Sequence, residues 1–162
     1  MAGESTPTEP RFLADVMLGT LAKWLRILGY DTAYDNRIPD DEIVSRCLRE
    51  GRIALTRDSR LTERRAMRNA LLIESMELGA QLRQVLSYLG REPDPSRLLT
   101  RCPECNSELA PATPDSVRNL VPPYVFETQT DFRRCPGCGR IYWGGTHREH
   151  IRSRLEKLLK SS

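Results

Sequence analysis

Two sets of side chains in this chain have the types and spacing for chemistry. The first is the cysteines of "CPEC" (102–105) and "CPGCG" (135–139), two Cys-x-x-Cys turns separated by 29 residues. Cys102, Cys105, Cys135 and Cys138 could place four thiolates tetrahedrally around one Zn²⁺, each short loop turning back under the metal. Four sulfurs saturate the ion and leave no open position for water, so the expectation is structural zinc. Gly137 and Gly139 supply the tight backbone that lets amides point toward the sulfurs. Disulfides are the alternative, but nothing in the sequence points to an oxidising compartment.

The second set is carboxylates. Asp15 closes "RFLAD", Asp35 follows "DTAY", and Asp58 follows "IALT" within "IALTRDSRL". Asp40, Asp41 and Glu42 open the segment before "IALT". Converging acids without histidine or cysteine make a hard oxygen site suited to Mg²⁺ or Mn²⁺. One or two such ions can polarise a phosphoryl oxygen, generate hydroxide and stabilise a leaving oxygen. Arg57, Arg60, Arg64, Arg65 and Arg68 crowd around Asp58, and with Lys23 and Arg26 they are candidates to hold phosphates. Plainer readings exist: Asp40 as a helix cap, Asp35-Asn36 as a turn. Asp15 and Asp58 resist them, because each interrupts an apolar stretch where burial without a partner is costly. Thr56 and Ser59 are candidates to assist an acid.

The elements that must position these acids read as alternating strands and helices. Strands are expected at 11–15, 31–34, 53–56 and 70–74. Apolar residues at helical spacing mark helices over 18–28 and 78–89, closed by Gly29 and Gly90. Asp40 reads as the N-cap of a helix to about Glu50, with Ile43, Val44, Cys47 and Leu48 inward and Gly51 ending it. A short basic helix is expected over 60–68. This order predicts a parallel α/β sheet, in which ligands gather at the carboxyl ends of the strands. Cys47, on the buried helix face, reads as a small core residue.

Composition describes a globular chain, with 39% apolar and 29% charged residues. Proline and glycine in "GREPDPSR" (90–97) mark a boundary near 91–100. The expected organisation is a loose leader over 1–10, an α/β domain over 11–92, and a zinc ribbon with a basic helix over 98–160. The leader lacks a basic n-region and an apolar h-region, and no apolar run is long enough to span a bilayer. A cytoplasmic protein with no membrane partner is the expectation. Residues 1–100 hold 15 basic and 15 acidic side chains, so the net charge of +3 comes from the ribbon half. After the second knuckle come a strand over 140–143, a glycine turn and a helix with a capping box at Thr146–Glu149. Residues 133–160 carry eight basic groups against two acidic ones, interleaved with Tyr142, Trp143 and His147. Such a surface could grip phosphates and stack unpaired bases; a solvated helix face over ribbon core aromatics is the alternative.

Three segments, "FLADVMLGTLAKWLRILGYDTAYD", "PDDEIVSRCLREGRIALTRDSRL" and "CPGCGRIYWGGTH", resemble in order the Mut-seven C-terminal RNase domain family. The resemblance spans 11–155 and implies a PIN-like three-layer fold with a mainly parallel sheet, a C-terminal zinc ribbon and a terminal helix. It also implies a divalent-metal site and an RNA substrate, single-stranded or structured. The family's strand-end acid falls on Asp15, its helix-opening acid on Asp40 with Asp41 as competitor, and its Thr-Arg-Asp acid on Asp58. The leading expectation is a metal-dependent ribonuclease using Asp15, Asp40 and Asp58, with Asp41, Glu42 and Asp35 as further acids. Substrate contacts would come from Arg57, Arg60, Arg64, Lys23, Arg26, Tyr142, Trp143 and His147. The alternatives are a non-catalytic zinc-ribbon RNA-binding or adaptor protein, and a protein–protein factor that touches no nucleic acid.

Overall fold

The computed structural model describes residues 9–160, apart from the side chain of Thr146. Its first half alternates strand and helix: β1 (Arg11–Ala14), α1 (Gly19–Ile27), β2 (Asp31–Tyr34), α2 (Asp40–Glu50), β3 (Ile53–Thr56), α3 (Ser59–Thr62), β4 (Ala70–Leu72) and α4 (Leu78–Leu89). The four strands form one parallel sheet in the order β2-β1-β3-β4. Successive side chains alternate between its faces. Phe12, Ala14 and Leu55 pack with Leu21 and Leu25 of α1 and Leu82 and Val85 of α4. Leu13, Ala33 and Ala54 pack on the other side with Ile43, Val44 and Cys47 of α2. Both faces are thus covered, as a parallel sheet requires, and the architecture is a three-layer α/β fold.

Local details differ from the sequence reading for identifiable reasons. Asp40 is the first residue of α2, not its cap; extended Pro39 holds the N-cap position without a side-chain bond. Asp40, Asp41 and Glu42 instead place three carboxylates in the first turn, where the helix dipole favours them. Leu48 is 52% exposed. It lies beyond Val44 at the edge of the buried stripe formed by Ile43, Val44 and Cys47, on the side that turns to solvent. The basic helix expected to Arg68 stops at Thr62. Arg60, Arg64 and Arg68 would stack like charges at i, i+4 spacing, and only Leu61 and Met67 are buried there. A short 3₁₀ turn (Val16–Leu18) precedes α1, and β4 ends at Leu72.

The second half contains β5 (Ala110–Ala112), α5 (Pro114–Val117), α6 (Pro123–Thr128), β6 (Phe132–Arg134), β7 (Ile141–Trp143) and α7 (Thr146–Lys160). Its strands form an antiparallel sheet, β5-β6-β7. Val117, Val121, Val125 and Phe132 give this half a small core of its own. It also shares the main core: Leu98, Leu99 and Leu155 are buried with α1 and α4, and Tyr142, Ile151, Leu158 and Leu159 pack against them. Arg83 of α4 donates to the carbonyls of Leu158 and Leu159 near the end of α7. The capping box at Thr146 and leader residues 1–8 fall outside the described residues. Glu9, assigned to the leader, has a defined place: its carboxylate pairs with Arg91 and Arg97. Among the described residues, no helix is long and apolar enough to cross a membrane.

Candidate active site and metal centre

Asp15 stands where the sheet's connections diverge. From β1 the chain passes to β2 on one side, then crosses to β3 on the other, leaving a crevice at the carboxyl ends of β1 and β3. The Asp15 amide donates to the Leu55 carbonyl of β3 at 2.9 Å, which fixes the residue in that crevice. Its side chain, with the residue only 7% exposed, accepts from the Met17 amide through Oδ1 at 2.9 Å. Oδ2 accepts from the Thr56 hydroxyl at 2.6 Å and the Arg57 amide at 3.3 Å. All three donors are neutral, so the carboxylate is oriented without being discharged. The Thr56 hydroxyl also accepts from the Asp58 amide at 2.9 Å, so one buried group positions both strand-end acids.

Asp58 caps α3 by accepting from the Arg60 amide at 2.9 Å, and the Arg60 guanidinium bonds both of its oxygens. Those bonds hold its carboxyl below the usual range. Asp41 pairs with Arg64. Arg60 and Arg64 both feel the field of Asp40 as well as Asp58, which brings the mouth of α2 beside α3. Glu42 is exposed on the same turn. Asp35 accepts from the Arg37 amide at 2.9 Å and closes its own turn. Arg57 is half-buried, with its guanidinium against the Ile73 carbonyl.

Among the described residues, the one group of three or more potential ligands within 4.8 Å of one another is the four cysteines. The acids therefore line one edge without forming a closed cage. Their hard-oxygen chemistry fits Mg²⁺ as an open site, because that ion keeps several waters and takes one or two carboxylates beside a substrate phosphate.

The cysteines do form a compact centre. Cys102 Sγ lies 3.6 Å from Cys138 Sγ, and Cys105 Sγ lies 3.1 Å from Cys135 Sγ. All four are free thiols, and their soft-donor set fits zinc. The knuckles repeat one backbone pattern: Asn106 N–H donates to the Cys102 carbonyl and Gly139 N–H to that of Cys135, each at 2.9 Å. A Cβ on Gly137 would come within 2.6 Å of Ser107 Oγ and 3.2 Å of Cys105 Sγ, so any larger residue would have to displace the Ser107 side chain where the knuckles meet. Burial opposes ionisation of Cys105, but the neighbouring Ser107 hydroxyl and amide outweigh it and bring its pKa down to about 6, toward the thiolate a metal needs.

Several expected phosphate contacts have other work. Arg26 is buried in the junction between the halves, donating to the carbonyls of Thr32 at 2.8 Å, Pro103 at 3.0 Å and Glu104 at 3.3 Å. Lys23 pairs with Glu104 at 2.8 Å. The Tyr142 hydroxyl lies 3.2 Å from Cys102 Sγ; burial, then that sulfur, push its pKa up. Trp143 packs on the ribbon core, with the His147 ring 5.9 Å away and exposed.

Asn106 was missed by the sequence reading. Its side chain accepts from the Thr32 amide on the outer edge of β2 at 3.0 Å and donates to Asp31 at 2.7 Å, clipping the first knuckle to the sheet. Its φ of +71° matches the role of Gly139, with φ +79°, at the same place in the second knuckle. That parallel was the available signal.

A family model described as Mut7-C RNAse domain matches residues 10–155. No curated protein and no solved structure matches the chain.

Proposed function

The chain belongs to the Mut7-C RNAse domain family, and from that premise we propose that it is a divalent-metal-dependent ribonuclease acting at the carboxyl edge of its parallel sheet. The observation that carries this reading is Asp15, a buried carboxylate at the sheet's switch point held only by neutral donors. Asp15, Asp40 and Asp58 would hold Mg²⁺ or Mn²⁺, with Asp41 or Glu42 as a further ligand. Such an ion, when bound, polarises the phosphoryl group and activates water. Thr56 keeps Asp15 and Asp58 aligned with each other. Arg57, Arg60 and Arg64 receive the substrate phosphates. Arg60 and Arg64 must then turn from Asp58 and Asp41 toward the RNA, a small demand because exposed ion pairs are weak and screened by water. The four cysteines hold zinc, and the ribbon with α7 extends the basic surface along which RNA lies.

The test is cleavage of single-stranded RNA by the zinc-loaded protein with Mg²⁺ or Mn²⁺. Asp15→Asn lowers the rate by on the order of 100-fold or more, with zinc content and a cooperative thermal melt retained. Wild type that cleaves no RNA with either metal would sink the enzyme reading. The second reading, a non-catalytic RNA-binding adaptor, is favoured by the ion pairs that already engage Asp58 and Asp41. It requires RNA binding that Asp15→Asn leaves unchanged and no cleavage by either protein.

A further inference from the structure

The opposite, amino edge of the sheet carries an opening of its own. A cavity of about 530 Å³ lies between the starts of β1 and β2 and the segment entering the ribbon, with Arg11, Asp31, Arg97, Arg101 and Glu108 in its wall. Its size is that of an ordinary small-molecule site. A strand of four residues, roughly 13 Å, separates this edge from Asp15.

The wall's charges are unevenly engaged. Asp31 is taken by Arg52 and Arg11, and Glu108 by Arg101. What remains is Arg97 and, from just outside the wall, Arg91. Both converge on the Glu9 carboxylate, Arg97 at 2.8 Å and Arg91 at 3.2 Å. Arg97 is held in advance of any ligand: it donates to the Gly29 carbonyl at 2.9 Å and lies 4.7 Å over the buried Tyr30 ring. Gly29, at φ +93°, has no room for a Cβ, which would come within 2.9 Å of the Arg97 carbonyl. Glu9 by contrast is 58% exposed at its side chain. One guanidinium held in place, that of Arg97, and a second, that of Arg91, therefore face an internal anion whose own side chain is mostly exposed.

We propose that Arg91 and Arg97 form a phosphate-binding site at the mouth of this cavity, closed by the Glu9 carboxylate in place of the ligand. A phosphate offers more charge and more acceptor oxygens than one carboxylate, and planar guanidiniums match it in paired bonds. With Glu9 turned aside, four arginines outnumber Asp31 and Glu108 around the opening. The phosphate arrives either in an RNA backbone, an arm that rests on the ribonuclease reading, or on a free mononucleotide lodged in the cavity.

The test uses the full zinc-loaded chain without added Mg²⁺ or Mn²⁺, so that binding is measured without cleavage. The probes are a labelled single-stranded RNA, followed by anisotropy, and adenosine 5′-monophosphate, followed by calorimetry. Glu9→Gln tightens binding several-fold, and Arg91→Glu weakens it on the order of tenfold with a shallower salt dependence. The pattern with RNA alone assigns the site to backbone phosphate; with the mononucleotide alone, to a free nucleotide; with both, to phosphate in either setting. Affinities for both probes that are unmoved by Glu9→Gln and Arg91→Glu, in variants that melt like wild type, overturn the proposal. Loss of the ribonuclease reading would show separately, as failure of wild type to cleave RNA when metal is restored.

Discussion

Asp15 and Asp31 lie on adjacent parallel strands at opposite ends of one sheet, and their surroundings differ in kind. Asp31 pairs in register with Arg11 and accepts from Arg52 at 2.8 Å, Arg11 at 3.2 Å and Asn106 at 2.7 Å. Burial works against its charge, but the bonds from Arg52, Asn106 and Arg11 outweigh burial and hold its pKa at about 2. Asp15 meets one hydroxyl and two amides, and no cation among the described residues. At the amino edge the fold cancels charge and locks the junction to the first cysteine knuckle. At the carboxyl edge it orients a charge and leaves it uncancelled. Asp15 also caps the 3₁₀ turn through the Met17 amide, as a fold-serving aspartate can, but its second oxygen is buried against Thr56 and the Arg57 amide at the strand ends.

The largest test of this contrast is removal of the zinc proposed for the four-cysteine centre. Structural zinc sites contribute on the order of 10 kcal/mol of folding free energy, so chelation or Cys102→Ser should unfold the knuckles. The amino edge depends on them through Asn106 and Arg26. Hydrogen exchange should therefore show the Thr32 amide, donated to Asn106, losing protection first. The Asp15 amide, donated to Leu55 within the sheet, should keep it longer. Equal loss at both would make the two edges one cooperative unit and remove the contrast.

The next effect concerns the acids themselves. Arg52 is 6% exposed, and Asp31→Ala would leave it buried with only Glu50 and the Phe12 carbonyl. The expected cost is about 3 kcal/mol in urea denaturation. Asp15→Asn keeps one of the two acceptor oxygens and turns an NH2 group toward the donors of the other, and should cost less, about 1–2 kcal/mol. The pH dependence follows from Asp31. Its folded pKa of about 2 lies below its ordinary value of 3.8, so its contribution is full above pH 4 and is lost as pH falls from there through 2. Asp31→Asn should flatten stability over that interval, whereas Asp15→Asn should leave the Asp31-dependent fall in place. Similar costs for Asp31→Ala and Asp15→Asn would mark Asp15 as structural and break the comparison.

These edges were unequally legible in the sequence. The strand–helix alternation could be read because the apolar periods are clean, as in Leu21 and Leu25 of α1 or Leu82, Val85 and Leu86 of α4. Asp15 and Asp58 stood out as acids ending apolar strands, and the cysteines by spacing alone. Thr56 and Ser59 stood as equal candidates to assist an acid, and the choice of Thr56, with Asp15 as its partner, depends on β1 and β3 being neighbours in a particular register. Arg26 was read as a candidate phosphate contact, although it falls four residues after Ala22 on a buried face. The helices α5 and α6 hid in a proline-rich segment, where Val117, Val121 and Val125 recur at four-residue intervals across two short turns. Spacing reports periodic burial well. It reports poorly any partner supplied by another strand or by the docked ribbon.

The smallest structural effect bears most directly on function. Arg60 and Arg64 are exposed and bond to Asp58 and Asp41 on the edge where charge is otherwise left open. If those pairs serve folding, Arg60→Ala and Arg64→Ala should lower the melting temperature and leave RNA affinity alone. If they are phosphate contacts waiting for substrate, melting should barely change. The salt dependence of RNA binding should then fall by about one ion per arginine removed, roughly uniformly across RNA sequences. Removing Arg60 should also let the Asp58 carboxyl rise toward its ordinary value, because the bonds from Arg60 are what lower it. An NMR titration of Asp58 in Arg60→Ala, read beside the salt slope, separates the alternatives: a change in the carboxyl alone assigns Arg60 to the folded protein's own charge balance, and a change in both assigns it to the RNA.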